Sequence, residues 1–194
     1  MISSTLSLLD QTELLRLALE ANNGGENGAA IAYLKEAVSR PDATGNAHFL
    51  LGAEYAHIKL YDRAVSEMEA ALALDPGLSI ARLQLGLLWL TSGMAERALQ
   101  VFAPLSELPE SEPLRLFGEG LSALMRDQFD DAVRLLEAGI VLNQVNEALN
   151  GDMRNILDGL ARLRAAGGLE VPEAASTEDA HHVLLSAYTG NTSH

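Results

Sequence analysis

The sequence predicts an all-α fold, an α-solenoid of about four helix-turn-helix repeats that ends in a C-terminal capping helix. The first observation is composition: Leu and Ala dominate a chain of 194 residues that is 48% hydrophobic, and β-branched residues are sparse. The second is a spacing of 34 residues, which recurs from residue 30 to residue 139. A period of this length is typical of repeats that each form a pair of helices.

Four columns of mostly apolar residues keep the 34-residue period in register. They are Gly52, Gly86 and Gly120; Ala30, Ala64, Ala98 and Ala132; Leu34, Met68, Phe102 and Leu136; and Ala37, Ala71, Leu105 and Gly139. Within one unit, the small residues fall where two helices would cross, so we expect the two backbones to approach closely there. Pro76 follows the second helix of its unit, as expected where proline cannot continue a helix.

These columns resemble the tetratricopeptide repeat, a helix-turn-helix unit of about 34 residues. The resemblance divides the chain into repeats at about 11–44, 45–78, 79–112 and 113–146. The second repeat shows the pattern best, with Leu51, Gly52, Tyr55, Ala64, Met68, Ala71 and Pro76 at the signature positions. The resemblance implies a protein that binds other proteins or peptides.

Several positions depart from this pattern. Ala18 and Ala21 replace the glycine and the aromatic residue of the first repeat, and Glu119 replaces leucine in the fourth. Pro104 is expected to end the second helix of the third repeat early, because its ring clashes with the preceding turn. Terminal repeats are often irregular because they cap an array.

Two further segments follow the repeats. Residues 147–166 predict the capping helix, with an apolar stripe of Ile156, Leu157, Leu160 and Leu163. Residues 167–194 predict a linker and a short amphipathic tail helix. Its apolar stripe consists of Ala180, Val183, Leu184, Ala187 and Tyr188. Since three turns of helix are too short to persist alone in water, we expect the tail helix to dock in the groove of its own chain or of a neighbour. A frayed tail is the alternative.

The first helix of each repeat has a second apolar face, opposite the face that packs inside the repeat. The segment 81–93 (ARLQLGLLWLTSG) is apolar on nearly every side, and such a helix must be covered on every side. In an array of this family the second face lines a concave groove. The predicted peptide-binding groove contains Leu15, Leu19, Asn46, Phe49, Ala53, His57, Ile80, Leu83, Leu87, Leu90, Leu114, Phe117, Leu121 and Leu124. Burial of this face between tightly curved repeats is the alternative.

The groove residues favour one kind of peptide partner. The positions that would carry the family's carboxylate clamp of Lys, Arg and Asn include Leu15, Leu19, Leu50, Ile80 and Gln84. These residues are unsuited to grip a C-terminal carboxylate, so that mode is rejected. An apolar groove suits an amphipathic helix or an extended apolar peptide. The excess of acids would favour partners with basic flanks through long-range steering.

The charge balance excludes several partners. The chain has 27 acids and 13 bases, with a net charge of −14 and no basic cluster. Double-stranded nucleic acid and anionic membranes both require clustered Lys and Arg, so neither is expected to bind. The absence of cysteine excludes disulfides and thiolate metal sites and is consistent with a cytoplasmic location. The N-terminus, MISSTLSLLDQTELL, has no basic region and argues against a signal peptide.

Catalytic chemistry is not expected. His181 and His182 are neighbours and do not share a helix face, so they are poor metal ligands. Asp127, Asp130 and Asp131 are expected to precede or start a helix, where acids complement its dipole. No phosphate-binding glycine loop and no Ser/His/Asp set is present, so neither a cofactor nor a catalytic site is predicted.

The sequence therefore predicts a non-catalytic adaptor or scaffold that binds a protein segment in an apolar groove. Two alternatives remain open at this point. One is a chaperone that shields an apolar exported protein before secretion. The other is a structural protein that assembles into homo-oligomers through its groove and tail.

Overall fold

The structure is a computed structural model that describes residues 6–166. Nine complete α-helices and one 3-10 helix lie within this range, which contains no strand, so the predicted all-α class is confirmed. The helices are α1 (Gln11–Asn23), α2 (Asn27–Val38), α3 (Gly45–His57), α4 (Tyr61–Leu74), α5 (Ser79–Thr91), α6 (Ala95–Phe102), the 3-10 helix Ala103–Glu107, α7 (Pro113–Leu124), α8 (Phe129–Leu142) and α9 (Glu147–Ala165).

Each helix pair is joined by the same tight turn, repeated four times. One residue of each turn has a left-handed backbone, and these residues stand 34 apart: Gly25 (φ 74°), Lys59 (φ 62°), Gly93 (φ 75°) and Asp127 (φ 59°). The amide after it donates a hydrogen bond to the carbonyl five residues earlier, over 2.8 to 3.0 Å, as in the Schellman motif. The turn therefore repeats with the same period as the apolar columns.

Polar caps start several of the first helices on the same period. Asp10, Thr44 and Asn146 each accept a hydrogen bond from the backbone amide three residues later, at 2.8, 3.2 and 3.0 Å. Their side chains satisfy amides that lack a partner in the first turn of a helix. Because residue 146 lies 102 residues, or three periods, after residue 44, α9 begins where the first helix of a fifth pair would begin.

The chain divides into two compact units, Met1–Leu85 and Gly86–His194. In the first unit, Gly52 lets α3 approach α4: a Cβ added there would lie 3.1 Å from Cε of Met68. Leu14, Ala37 and Ala47 form a buried cluster that joins α1, α2 and α3. Arg40 covers one end of this cluster, since its guanidinium donates hydrogen bonds to the carbonyls of Leu6, at 2.7 Å, and Leu9.

In the second unit, glycines again allow close approach of helices. The ring of Phe102 lies against Gly86, and Leu136 lies against Gly120. As predicted, α6 ends early at Phe102, and the chain continues as the 3-10 helix that contains Pro104. This 3-10 helix packs on α7, because Leu105 lies 2.7 Å from where a Cβ on Gly118 would be.

The predicted capping helix is present as α9. Its buried Asn150 donates a hydrogen bond to the carbonyl of Asn143 at 2.9 Å and accepts one from the Asn143 amide at 2.8 Å. These bonds tie α9 to the loop that follows α8. Arg164, near the other end of α9, pairs with Asp130 of α8 at 2.5 Å. The predicted linker and tail helix, residues 167–194, lie outside the described residues.

Candidate protein-binding face

The first unit places its two first helices, α1 and α3, side by side. Leu14 of α1 and Ala47 of α3 belong to one buried cluster. Further along both helices, the amide of Asn22 on α1 donates a hydrogen bond to Oε1 of Glu54 on α3. Since the two contacts join residues 33 and 32 apart, α1 and α3 run in the same direction. Their adjacent residues therefore form a continuous surface.

We call the predicted groove positions on these helices the α1–α3 face: Leu15, Leu19, Asn46, Phe49, Ala53 and His57. Leu19, in the middle of α1, is 49% exposed. Leu15, Phe49 and Ala53 are half-buried, and Leu15 packs partly against the Leu14 cluster. Asn46 and His57 are exposed. The face therefore presents apolar atoms to water, with polar side chains at both ends of α3.

Five other predicted groove residues are buried. They are Leu83, Leu87, Phe117, Leu121 and Leu124. The expectation that these side chains form an exposed groove floor is wrong, because a covered side chain offers no surface to a partner. For Phe117 the cause is visible: its ring packs on Gly139 of α8, 2.5 Å from where a Cβ would be. On α5, Leu83, Leu85, Leu87 and Leu88 are all buried, so this helix is covered on nearly every side, as a helix with apolar residues all round must be.

Ile80, Leu90 and Leu114 remain half-buried. Ile80 lies in the first unit, and Leu90 and Leu114 lie in the second. Their role as binding residues stays a prediction. Six of the seven accessible predicted positions in the first unit thus belong to the α1–α3 face.

A buried acid lies at the edge of the α1–α3 face. Glu54 is 4% exposed, and while its Oε1 accepts the hydrogen bond from Asn22, its Oε2 is buried and has no hydrogen-bond partner. A half-satisfied buried carboxylate costs stability, because it loses water without a full set of replacements. The sequence analysis missed this pair. The only signal for it in the sequence is that Glu54 stands at a repeat position where the next repeat has an apolar residue, Leu88.

Two aromatic side chains lie under arginines of their own repeat. The Arg63 guanidinium lies 5.7 Å from the centre of the Tyr55 ring, and that of Arg97 lies 4.7 Å from the Trp89 ring. Both arginines come from the second helix of the pair. Tyr55 and Trp89 stand 34 residues apart and are equivalent positions of two repeats. This repeat position therefore faces the second helix, as the signature positions of the family already suggested.

Several titratable residues have structural partners. Nδ1 of His48 lies 2.7 Å from a carboxylate oxygen of Glu67, so it links α3 to α4. Asp130 and Asp131 fall in the first turn of α8, as predicted, and pair with Arg164 and Arg134. No group of three or more His, Asp or Glu residues suited to hold a metal ion occurs in residues 6–166. His181 and His182 lie outside the described residues.

Two acids on α9 have shifted pKa values. Hydrogen bonds from Arg154 and Asn150, together with the charge of Arg154, lower the pKa of the Glu147 carboxyl. Burial raises the pKa of the Asp152 carboxyl, because desolvation disfavours its charged form. Nothing in the sequence pattern distinguished either residue, and neither belongs to the α1–α3 face.

The repeated turns, caps and crossings define an all-helical protein built of consecutive helix pairs. Solved structures of MamA, a tetratricopeptide-like all-helical protein, have a similar fold. MamA 41-end from Desulfovibrio magneticus RS-1 matches 95% of this chain and 99% of its own, with a TM-score of 0.59 and 17% sequence identity. A second MamA crystal structure matches 70% of this chain and 79% of its own, with a TM-score of 0.57 and 21% identity. At these identities the likeness shows the fold alone.

The comparisons by sequence gave no match: no family profile matches the chain, and neither does any curated protein. Among the described residues, no helix combines the length and the apolar character that a membrane crossing requires.

Proposed function

We propose that this chain is a non-catalytic tetratricopeptide-like protein that binds a segment of another protein on its α1–α3 face, as an adaptor or scaffold. The observation that carries the proposal is the 49% exposed Leu19 on α1, together with half-buried Phe49 and Ala53 on the adjacent helix α3. Exposed apolar side chains grouped on one surface are typical of interaction sites. The helical fold of the MamA structures also supports a repeat protein of this type.

The chemistry of the face indicates the kind of segment it accepts. Leu19, Phe49 and Ala53 offer apolar contacts without a basic side chain among them, so they suit the apolar side of an amphipathic helix or an extended apolar peptide. The net charge of −14 favours segments with basic flanks, because opposite charge speeds the encounter. This charge acts on the association rate more than on the contacts of the bound state.

The proposal is tested with a matched pair of variants, Leu19→Glu and Leu74→Glu. Both leucines lie in the first unit and are similarly exposed, at 49% and 55%, but Leu74 ends α4 and lies outside the α1–α3 face. The tagged wild-type chain is used to purify its partner from the native extract, and the affinity of that partner is then measured by calorimetry. Leu19→Glu should cost about 2 kcal/mol or more, roughly a 30-fold loss in affinity, if Leu19 is central to the contact.

Leu74→Glu should bind as the wild type does, and circular dichroism should show equal helix content in both variants. Equal affinities of the two variants would contradict binding at this face. The identity of the purified partner decides between an adaptor and a chaperone, since an apolar exported protein would make the chain a secretion chaperone.

A specific observation favours self-assembly as a second candidate function. Val141 and Leu142 at the end of α8 and Val145 in the next loop are exposed, at 71%, 44% and 96%. Three apolar side chains so close together in sequence and so open to water are suited to a contact between copies. Sedimentation of the wild type and of Val145→Asp tests this: self-assembly requires a concentration-dependent oligomer that the variant weakens.

A further inference from the structure

We propose that the tail segment, residues 177–190 of this chain, docks in the groove between α8 and α9 and serves there as the second helix of a fifth pair. The groove, which we call the α8–α9 groove, has a volume of about 510 Å³. Most of its lining is apolar and includes Phe129 and Val133 of α8 and Leu157, Leu160 and Ala161 of α9. The proposal concerns a surface other than the α1–α3 face and does not depend on the proposed function.

The first argument is the place of α9 in the period. Asn146 caps α9 as Asp10 caps α1 and Thr44 caps α3, on the same 34-residue spacing. α9 therefore has the position of a first helix, yet the residues described end at 166, before any second helix. In the other pairs the second helix covers one side of the first. We therefore expect another helix to cover the corresponding side of α9.

The second argument comes from the position that holds Tyr55 and Trp89. Each of these side chains faces an arginine of the second helix of its own pair. Leu157 stands 68 residues, or two periods, after Trp89, and it lines the α8–α9 groove. Arg154 replaces glycine in the column of Gly52, Gly86 and Gly120, so close crossing is blocked early in α9. This agrees with a groove that lies along its later half.

The third argument is the length and the pattern of the remaining chain. From Leu157 to Ala165 the groove extends about 12 Å along α9, at about 1.5 Å per helical residue. The linker 167–176 begins beside the groove and can span up to about 33 Å, so the tail segment can fold back over it. Its apolar stripe, Ala180, Val183, Leu184, Ala187 and Tyr188, matches a lining of Phe, Val, Leu and Ala.

The fourth argument is charge. Residues 167–194 contain four acids, Glu170, Glu173, Glu178 and Asp179, and neither Lys nor Arg. The last turn of α9 carries Arg162 and Arg164. Arg164 pairs with Asp130, whereas Arg162 has no carboxylate partner among residues 6–166 and donates to the backbone carbonyl of Asp158. The acids of residues 170–179 therefore suit the Arg162 end of α9, whereas the acids of the groove lining, Glu137 and Asp158, offer them no attraction.

The absence of cysteine in the chain makes disulfide trapping a direct test. Ala161→Cys, in the groove, is combined with Ala180→Cys or Ala187→Cys on the apolar stripe of the tail segment. The control combines Ala161→Cys with Ser186→Cys, which a helical wheel places on the opposite side of the tail helix. At least one stripe pair should form a disulfide within one chain about tenfold faster than the control, because a docked helix presents one face only.

Equal rates for stripe and control pairs would overturn the proposal, since they indicate an undocked tail. Disulfides that form only between chains would overturn it as well and would make a second copy the occupant. Mass spectrometry under non-reducing conditions distinguishes these outcomes.

Hydrogen exchange on the full chain without cysteines gives an independent measurement. Amides 180–188 should exchange at least about tenfold more slowly in the wild type than in Ala161→Glu, because the added charge expels the tail from the groove. Ala32→Glu, at an exposed position of α2, is the control and should exchange as the wild type does. Fast exchange of these amides in the wild type would refute docking, whichever cysteine pairs react.

Discussion

Replacement of Gly86 by alanine tests the close crossing between α5 and α6. A Cβ at this position would lie 2.5 Å from Cζ and 2.6 Å from Cδ1 of Phe102, whereas carbon atoms in contact are separated by about 3.5 to 4 Å. Cε1 of the ring lies closer still, so the ring must move by more than about 1 Å, and the cost should fall towards the upper end of the range of about 1–3 kcal/mol for overpacking. The better helix propensity of alanine returns about 0.5–1 kcal/mol, so the net loss should be about 1–2 kcal/mol.

The matched control is Gly151→Ala in α9, where an added Cβ meets nothing within 4 Å. This variant should gain about 0.5–1 kcal/mol, since only the helix propensity changes. Urea denaturation followed by circular dichroism gives both values, and the fluorescence of Trp89, the single tryptophan and one turn after Gly86, reports locally on the crossing. A Gly86→Ala protein as stable as Gly151→Ala would refute the close approach of Phe102 to α5.

The repeated turn and the pKa of Asp152 give two further predictions. Lys59→Gly and Asp127→Gly should each raise stability by about 0.5–1 kcal/mol in thermal denaturation, because glycine adopts a left-handed backbone freely, whereas Gly93→Ala should lower it by about 1 kcal/mol. Asp152→Asn should gain stability relative to the wild type as the pH rises above 3.8, the ordinary value for this carboxyl. In that range Asp152 holds its proton more tightly in the folded than in the unfolded wild type, so this residue lowers the stability of the wild type relative to that of the variant. A stability difference that is constant with pH would contradict the raised pKa.

The period of the sequence predicted the helix pairs and the early end of α6, because both depend on local rules. Glycine and alanine mark where helices cross, and a proline beyond the first turn interrupts an α-helix. The repeated turn could be recognised only in part, since Gly25 and Gly93 signal a left-handed residue, Asp127 does so only weakly and Lys59 not at all. A shared backbone conformation thus persists where the residue type that favours it is missing.

The groove prediction failed where burial depends on a neighbouring helix. A helical wheel shows the direction of a side chain but not which helix covers it. On the helical wheel, Phe117 lies opposite the face of α7 that was predicted to pack inside its own repeat. Its ring nevertheless fills the space that Gly139 leaves on α8. Gly139 stands in a column with Ala37, Ala71 and Leu105, so a missing side chain there was visible in the sequence, but its consequence for Phe117 required the positions of both helices.

Glu54 is expected to lower the stability of the first unit and, at the same time, to position its α1–α3 face for binding. Leu88 and Ile156 stand at the same repeat position and are buried, so the packing at this position does not require an acid. Glu54→Leu should raise stability by about 1–2 kcal/mol, because it removes a carboxylate oxygen that has no partner, while the exposed Asn22 can bond to water instead. The same variant loses the hydrogen bond that fixes the end of α1 against α3, so it should bind the partner more weakly despite its higher stability. Glu54→Gln keeps an acceptor for Asn22 and should restore binding. If Glu54→Leu binds as tightly as the wild type, the link between Asn22 and Glu54 does not position the face.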